Sequence, residues 1–190
     1  MSVLVFDTET TGLPLKNEKR DLSDPKDFKK YDKARLIEIA YKIISGDDNG
    51  LILTYNTLVK NEIVEIENTH IHGITIEMVL EEGKYICDLL DELLEDMKTY
   101  NVQKIVAHNI EFDINIILAE CYRYGKQDLL DRFLNAKKFC TMKEGRQILM
   151  LQKYPKLTDL YYRIFNKTFT NQHSALADCE ACLECYIRMC

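Results

Sequence analysis

The segment Phe6-Asp7-Thr8-Glu9-Thr10-Thr11-Gly12-Leu13 carries two carboxylates one strand step apart. Side chains alternate along a strand, so Asp7 and Glu9 project to one side if the chain stays extended to Glu9. Such a pair repels, and one member needs a raised pKa unless a cation lies between them. Hard oxygen ligands of this kind suit Mg²⁺ or Mn²⁺. Taken alone, the segment also reads as a solvated turn after an edge strand. A further carboxylate, Asp113, belongs to His108-Asn109-Ile110-Glu111-Phe112-Asp113, which follows the apolar run Ile105-Val106-Ala107 and opens a helix. Asn109 is placed to cap that helix, and Asp113 falls in its first turn, where a carboxylate is favourable on structural grounds alone. The last, Asp178, closes His173-Ser174-Ala175-Leu176-Ala177-Asp178. Positions five apart on a helix are about 140° out of phase, so His173 meets Asp178 only from the loop before the helix. The polar run Thr168 to Gln172 supplies such a loop.

The elements that must position these residues are legible in outline. Residues 2–6 read as a buried strand, 36–44 and 51–59 as two more joined by Ser45-Gly46-Asp47-Asp48-Asn49-Gly50, and 104–107 and 139–141 as short ones. Helical spacing of Ile86, Leu89, Leu90, Leu93, Leu94 and Met97 predicts an amphipathic helix over 85–99. Further helices are expected at 112–124, ended by Gly125, and near 126–134, 142–151, 157–165 and from 174 to the C-terminus. Strands first, then strands alternating with helices, imply an α/β domain with a mixed sheet and helices on its faces. Residues 16–33 form a polar insertion without clear period. No repeat, low-complexity tract or linker divides the chain, so one domain over 1–190 is expected.

A chain of 190 residues is long enough for a self-sufficient core. No apolar run approaches the ~20 residues needed to span a bilayer, and Val3–Phe6 is too short for a signal core. Neither a membrane nor an export route is expected, and the protein reads as intracellular, cytoplasmic or nuclear. Seven cysteines without a secreted spacing fit reduced thiols. Cys179, Cys182 and Cys185 spell C-x₂-C-x₂-C, but they interleave with Leu176, Leu183, Tyr186 and Ile187 on a helix and read as core rather than as an iron–sulfur site. His70-Ile71-His72 reads as a turn. The net charge of −6 hides a separation: 16–35 is net +3 and 137–167 net +6, which leaves −15 elsewhere. A basic rim beside an acidic pocket suits a polyanion handled by metal ions, although each stretch alone is equally a solvated face.

Asp-x-Glu on the first strand, His-Asn-x-x-Phe-Asp at a strand-to-helix junction and His-x₄-Asp at the last helix together resemble the DEDDh family of 3′→5′ exonucleases. The motifs span positions 7 to 178, with no gap in the acidic set. Ala34-Arg35-Leu36-Ile37-Glu38-Ile39-Ala40, His72-Gly73-Ile74-Thr75 and Cys140-Thr141-Met142 add to the likeness. The resemblance implies an RNase H-like fold, a five-stranded mixed sheet flanked by helices. It implies two metal ions, Mg²⁺ or Mn²⁺, about 3.5–4 Å apart, clamping the attacking and leaving oxygens. Asp7, Glu9 and Asp178 would hold one ion, Asp7 would also face the second, and Asp113 would act through a held water. His173 would take the proton from the attacking water, a task that imidazole's pKa near ~6.5 suits. Leu13 and the backbone around Thr10 would meet the terminal nucleotide, with Glu9 near its 3′-hydroxyl. His108, Asn109 and Phe112 are further candidate substrate contacts, Phe112 being either a stacking surface or core. The implied reaction releases nucleoside 5′-monophosphates from DNA ends, with RNA trimming as the rival. A non-catalytic nucleic-acid or polymerase-binding module is the remaining alternative, and the intact acidic set argues against it. DNA or RNA 3′ ends are the implied partners, alone or within a polymerase, replication or repair complex, and no oligomeric state is set.

Overall fold

The computed structural model describes residues 1–19, 21–62, 65–67 and 69–190. Arg20, one of the basic residues of the 16–35 stretch, lies outside the described residues. Six strands form one sheet: β1 (Ser2–Thr10), β2 (Leu36–Ser45), β3 (Leu51–Lys60), β4 (Lys84–Tyr85), β5 (Val102–Ala107) and β6 (Lys137–Cys140). Their order is β4-β3-β2-β1-β5-β6. The β1–β2 and β2–β3 pairs are antiparallel, and the β1–β5, β5–β6 and β3–β4 pairs are parallel. Five strands were expected, and the sixth is the two-residue β4, too short to leave a periodic signal.

Eight α-helices are described: α1 (Thr69–His72), α2 (Ile76–Glu82), α3 (Ile86–Thr99), α4 (Ile110–Tyr124), α5 (Gln127–Asn135), α6 (Thr141–Ile148), α7 (Leu157–Phe165) and α8 (Ala175–Met189). His70 and His72, expected in a turn, lie in the single helical turn of α1. Alternation along the strands splits the core in two. Leu4 and Phe6 of β1, Ile39, Tyr41 and Ile43 of β2 and Ile105 of β5 pack in the larger cluster with apolar residues of α3, α4 and α5. Val3, Val5, Ala40, Ile44 and Val106 pack in a second cluster with α7 and α8. The three cysteines in the C-x₂-C-x₂-C run are buried in that second cluster. Cys179 donates to the Val5 carbonyl at 3.3 Å, and burial raises all three thiol pKa values, that of Cys185 to about 12. No helix among the described residues is long and apolar enough to cross a membrane.

The described residues of the polar insertion are held by specific contacts. Phe28–Tyr31 make a 3₁₀ turn, and Tyr31 is 1% exposed with its hydroxyl donating to the Ser23 carbonyl. Arg123 of α4 donates to the Phe28 carbonyl at 3.0 Å with its guanidinium 4.9 Å from the Phe28 ring centre. Nearby, Arg35 at the start of β2 meets Glu120 of α4 in a forked pair, Nε–Oε1 2.7 Å and Nη2–Oε2 3.1 Å. The two residues are 5% and 2% exposed. Glu120 also accepts from the Leu36 backbone N–H, so it ties the sheet to α4. Glu120→Ala would strand a buried guanidinium and should lower unfolding free energy by ~3–5 kcal/mol. Urea titration checks this, and a loss under ~1 kcal/mol would show that water or Tyr124 replaces the carboxylate.

Candidate functional site

The first strand does stay extended past Phe6. Asp7 pairs with Ala40, Thr8 with Ile39 and Glu9 with Glu38, so β1 runs to Thr10. Asp7 and Glu9 therefore share the face of Val3 and Val5, which is the face that α8 covers. Asp178, in the first turn of α8, arrives on that same face. Carboxylate oxygens of Asp7, Glu9 and Asp178 lie within 4.8 Å of one another.

Asp113 approaches from α4, around the end of the sheet. Pairing of β1 with β5 stops at Val5–Val106, because the chain turns away after Ala107 into α4. This opens the edge of β1 beyond Val5, and Asp113 Oδ1 fills it. It accepts from the Thr8 hydroxyl at 2.7 Å and from the Thr8 N–H at 3.2 Å. Asp113 is 3% exposed. The fourth carboxylate is thus fixed to the strand that carries the first two.

Crowding of this kind shows in proton affinity. Burial, then Asp113, Asp178, Glu9 and Glu38 in turn, push the Asp7 pKa well above the usual carboxylate range. Burial followed by Asp178, Glu38 and Asp113 pushes Glu9 up to about 8. Burial raises Asp113 to about 7 against the lowering effect of its Thr8 bonds, and burial likewise raises Asp178. Among the described residues, no Lys or Arg pairs with any of the four. An all-oxygen, uncompensated donor set fits a hard divalent cation. Stability should respond accordingly. Unfolded carboxylates titrate near ~4, so between about pH 4 and 8 the native state holds protons that the unfolded state has released. Metal-free protein should therefore lose stability as pH rises through that window. Mg²⁺ or Mn²⁺ should reverse the loss, by ~2.7 kcal/mol at a hundredfold excess over Kd. Melting curves at pH 5, 6.5 and 8 with chelator and with metal check this; a flat metal-free profile would mean the carboxylates do not interact.

His173 lies in the loop before α8, as the five-residue spacing requires. Its φ is +68°, a left-handed value rare for a residue with a side chain, and its N–H reaches Asp178 Oδ2 at 3.3 Å. His173 is exposed, and its proximity lowers the pKa of Asp178 against the larger effect of burial. Thr10 is half-buried, its hydroxyl donating to the Gly12 carbonyl at 2.7 Å. A Cβ at Gly12 would lie 2.7 Å from the Lys33 carbonyl, so only glycine lets this turn pack so closely. Leu13, next in line, is 67% exposed. Phe112 is partly buried against the larger core.

One expectation changes. Asn109 occupies the N-cap position of α4, but with φ 61° and ψ 45° its side chain makes no capping bond. Asn109 is exposed. His108 is held away from solvent: Nε2 lies 3.1 Å from the Pro155 carbonyl and Nδ1 3.0 Å from Thr141 Oγ1. A carbonyl only accepts, so Nε2 donates to Pro155, and Nδ1 of the neutral ring accepts a hydrogen bond from the Thr141 hydroxyl. Burial lowers its pKa to about 4. With both nitrogens engaged, His108 braces the loop before α7.

Sequence reasoning did not single out Glu38 as a site residue. It is 8% exposed, shares the α8-facing side of β2 with Ala40 and Lys42, and stands opposite Glu9. Its Oε2 accepts the Ala175 N–H at 3.1 Å, where α8 begins. Asn56, with its amide nitrogen turned to β2, donates to Oε1 at 3.2 Å. Glu38 thereby fixes the start of the helix carrying Asp178. The available signal was an acid in the otherwise apolar run Leu36-Ile37-Glu38-Ile39-Ala40.

Residues 4–186 match the family model described as RNase T, exonuclease. The chain is 42% identical over 132 residues to Exonuclease DPD1, chloroplastic/mitochondrial, of Arabidopsis thaliana, covering 65% of this chain and 35% of that protein. It is 25% identical over 191 residues to the DNA polymerase III subunit epsilon of Treponema pallidum (strain Nichols), covering 97% and 74%. The chain thus spans about a third of the plant protein and about three quarters of the spirochaete one. The solved nuclease domain of 3′hExo, a DEDDh family member bound to rAMP, superposes with a TM-score of 0.68 at 16% identity, covering 99% and 90%. The fold is accordingly RNase H-like.

Proposed function

The chain belongs to the RNase T family of exonucleases, and from that membership we propose that residues 1–190 form one metal-dependent 3′→5′ exonuclease domain releasing nucleoside 5′-monophosphates. The observation that carries this reading is the convergence of Asp7, Glu9 and Asp178 oxygens within 4.8 Å, with His173 at the rim. Bound divalent metal, one ion or two, would neutralise phosphate charge, activate water and align the leaving oxygen. Asp7, Glu9 and Asp178 would hold that metal, and Asp113, braced by Thr8, completes the acidic set. His173 accepts the proton of the attacking water at an imidazole nitrogen. Thr10 and exposed Leu13 meet the terminal nucleotide, while Glu38 keeps α8 in register with β1. Asn109 and Phe112 border the same end of the sheet.

DNA is the favoured substrate, supported by the likeness to a DNA polymerase III subunit, which also supports a replication or repair complex as a partner. RNA trimming is the second reading, supported by the rAMP-bound relative. One experiment tests both. Matched 5′-labelled DNA and RNA strands should shorten as a descending ladder with Mg²⁺ and stay intact with chelator. Immediate release of label as a mononucleotide would mean the opposite polarity, and intact strands with metal would sink the enzyme reading. Faster loss of the RNA strand would reverse the preference.

A further inference from the structure

Beyond the acidic site, one exposed aromatic stands in basic surroundings with a fixed link to the site. Tyr154 is 52% exposed in the loop between α6 and α7. Arg146 of α6 sets its guanidinium carbon 4.7 Å from the Tyr154 ring centre, and Arg146 Nε donates to the Leu151 carbonyl at 3.3 Å. The pair is therefore pre-ordered. Lys153 and Lys156 flank it, are exposed, and form no ion pair among the described residues. They belong to the 137–167 stretch of net charge +6. Two contacts tie this surface to the first turn of α4, where Asp113 lies. His108 grips the carbonyl of Pro155, the residue after Tyr154, and Lys143 of α6 pairs with Glu111. Because His108 stays neutral down to about pH 4, the first tie persists across any working pH.

We propose that Tyr154, backed by Arg146, is a stacking shelf for a nucleobase of the single strand inward of its 3′-terminal nucleotide. This rests on the exonuclease reading for the position of the terminal nucleotide. Every base has a π-face, an aromatic ring stacks on it whatever the sequence, and a guanidinium against the ring adds cation–π attraction while lysines attract the backbone. A tyrosine serving only to close the loop would gain by burial, yet half its surface is open.

Tyr154→Ala and Tyr154→Phe test the shelf. A 5′-fluorescein dodecamer of thymidylate, with Ca²⁺ replacing Mg²⁺, should bind about 5- to 100-fold more weakly to the alanine variant, the span of losing one base–aromatic stack. The phenylalanine variant, which keeps the ring, should bind within about twofold of wild type. The alanine penalty should grow with substrate length. It should be small in KM for thymidine 5′-p-nitrophenyl phosphate, which has no inner nucleotide, and full for the dodecamer. Wild-type affinity in Tyr154→Ala, equal losses in both variants, or equal penalties for ester and dodecamer would each overturn the shelf. If the ring dependence of binding holds but wild type cleaves neither substrate with Mg²⁺, the exonuclease reading fails and the shelf stands.

Discussion

Asp7→Ala should abolish hydrolysis while the protein stays folded. Asp7 lies at the centre of the acidic group: its pKa is raised by Asp113, Asp178, Glu9 and Glu38 as well as by burial. No other side chain can replace it, because Glu9 is one strand step away and Asp113 is committed to Thr8. The same crowding gives the variant its second signature. Deleting one of several mutually repelling buried carboxylates removes an unfavourable charge from the native state, so metal-free Asp7→Ala should melt at or above wild type near pH 8. Its stabilisation by Mg²⁺ should be lost, since binding to the native state is what raises stability. Turnover on a labelled strand and melting with chelator or Mg²⁺ provide the two readouts. A folded variant with wild-type turnover would remove Asp7 from the chemistry. One that melts far below wild type without metal would make Asp7 a structural residue, satisfied by partners other than a cation.

The acidic half of the site was legible because period two needs nothing beyond the sequence: Asp7 and Glu9 share a face wherever β1 is extended. The strand's true end was not. The apolar run placed the strand at 2–6, but Thr8 and Thr10 are paired with Ile39 and Leu36, and that partner strand lies some 30 residues away. Glu38 escaped for the same reason: its burial depends on α8 crossing β2, and its partner Ala175 is 137 residues distant. His108 was read as a candidate substrate contact from its place beside Asn109 and Asp113, and its hold on the carbonyl of Pro155, 47 residues on, was not legible there. The insertion read as polar and without clear period because its order comes from single contacts, such as the Tyr31 hydroxyl on the Ser23 carbonyl and Arg123 on the Phe28 carbonyl, which no periodicity announces. Period two reads a strand's faces from neighbours in sequence, whereas the length of β1 and the burial of Glu38 depend on distant partners.

His173→Ala should cut turnover by roughly 10²–10⁴-fold, the usual span for losing a positioned general base. The loop geometry supports that role over a ligand's. His173 reaches Asp178 through its backbone N–H, at 3.3 Å, so the bond survives in the alanine variant and the carboxylate keeps its orientation. Metal affinity should therefore change little, in contrast to Asp178→Ala, which removes one of the three converging oxygens. Acid pH must lower wild-type activity for two separable reasons. An imidazole accepts a proton only when neutral, and Glu9 and Asp113, raised to about 8 and about 7 without a cation, must be ionised to hold metal. A bound cation favours the ionised carboxylates and lowers their pKa values, so saturating metal shifts that part of the acid limb downward. The part that remains at saturating Mg²⁺ belongs to the imidazole and should vanish in His173→Ala, leaving a low, flatter profile. Turnover against pH at two metal levels, with calorimetric titration of Mn²⁺ into both proteins, makes the separation. Near-normal turnover in His173→Ala, or metal loss as complete as in Asp178→Ala, would mean that another group takes the proton and that His173 is a ligand or a bystander.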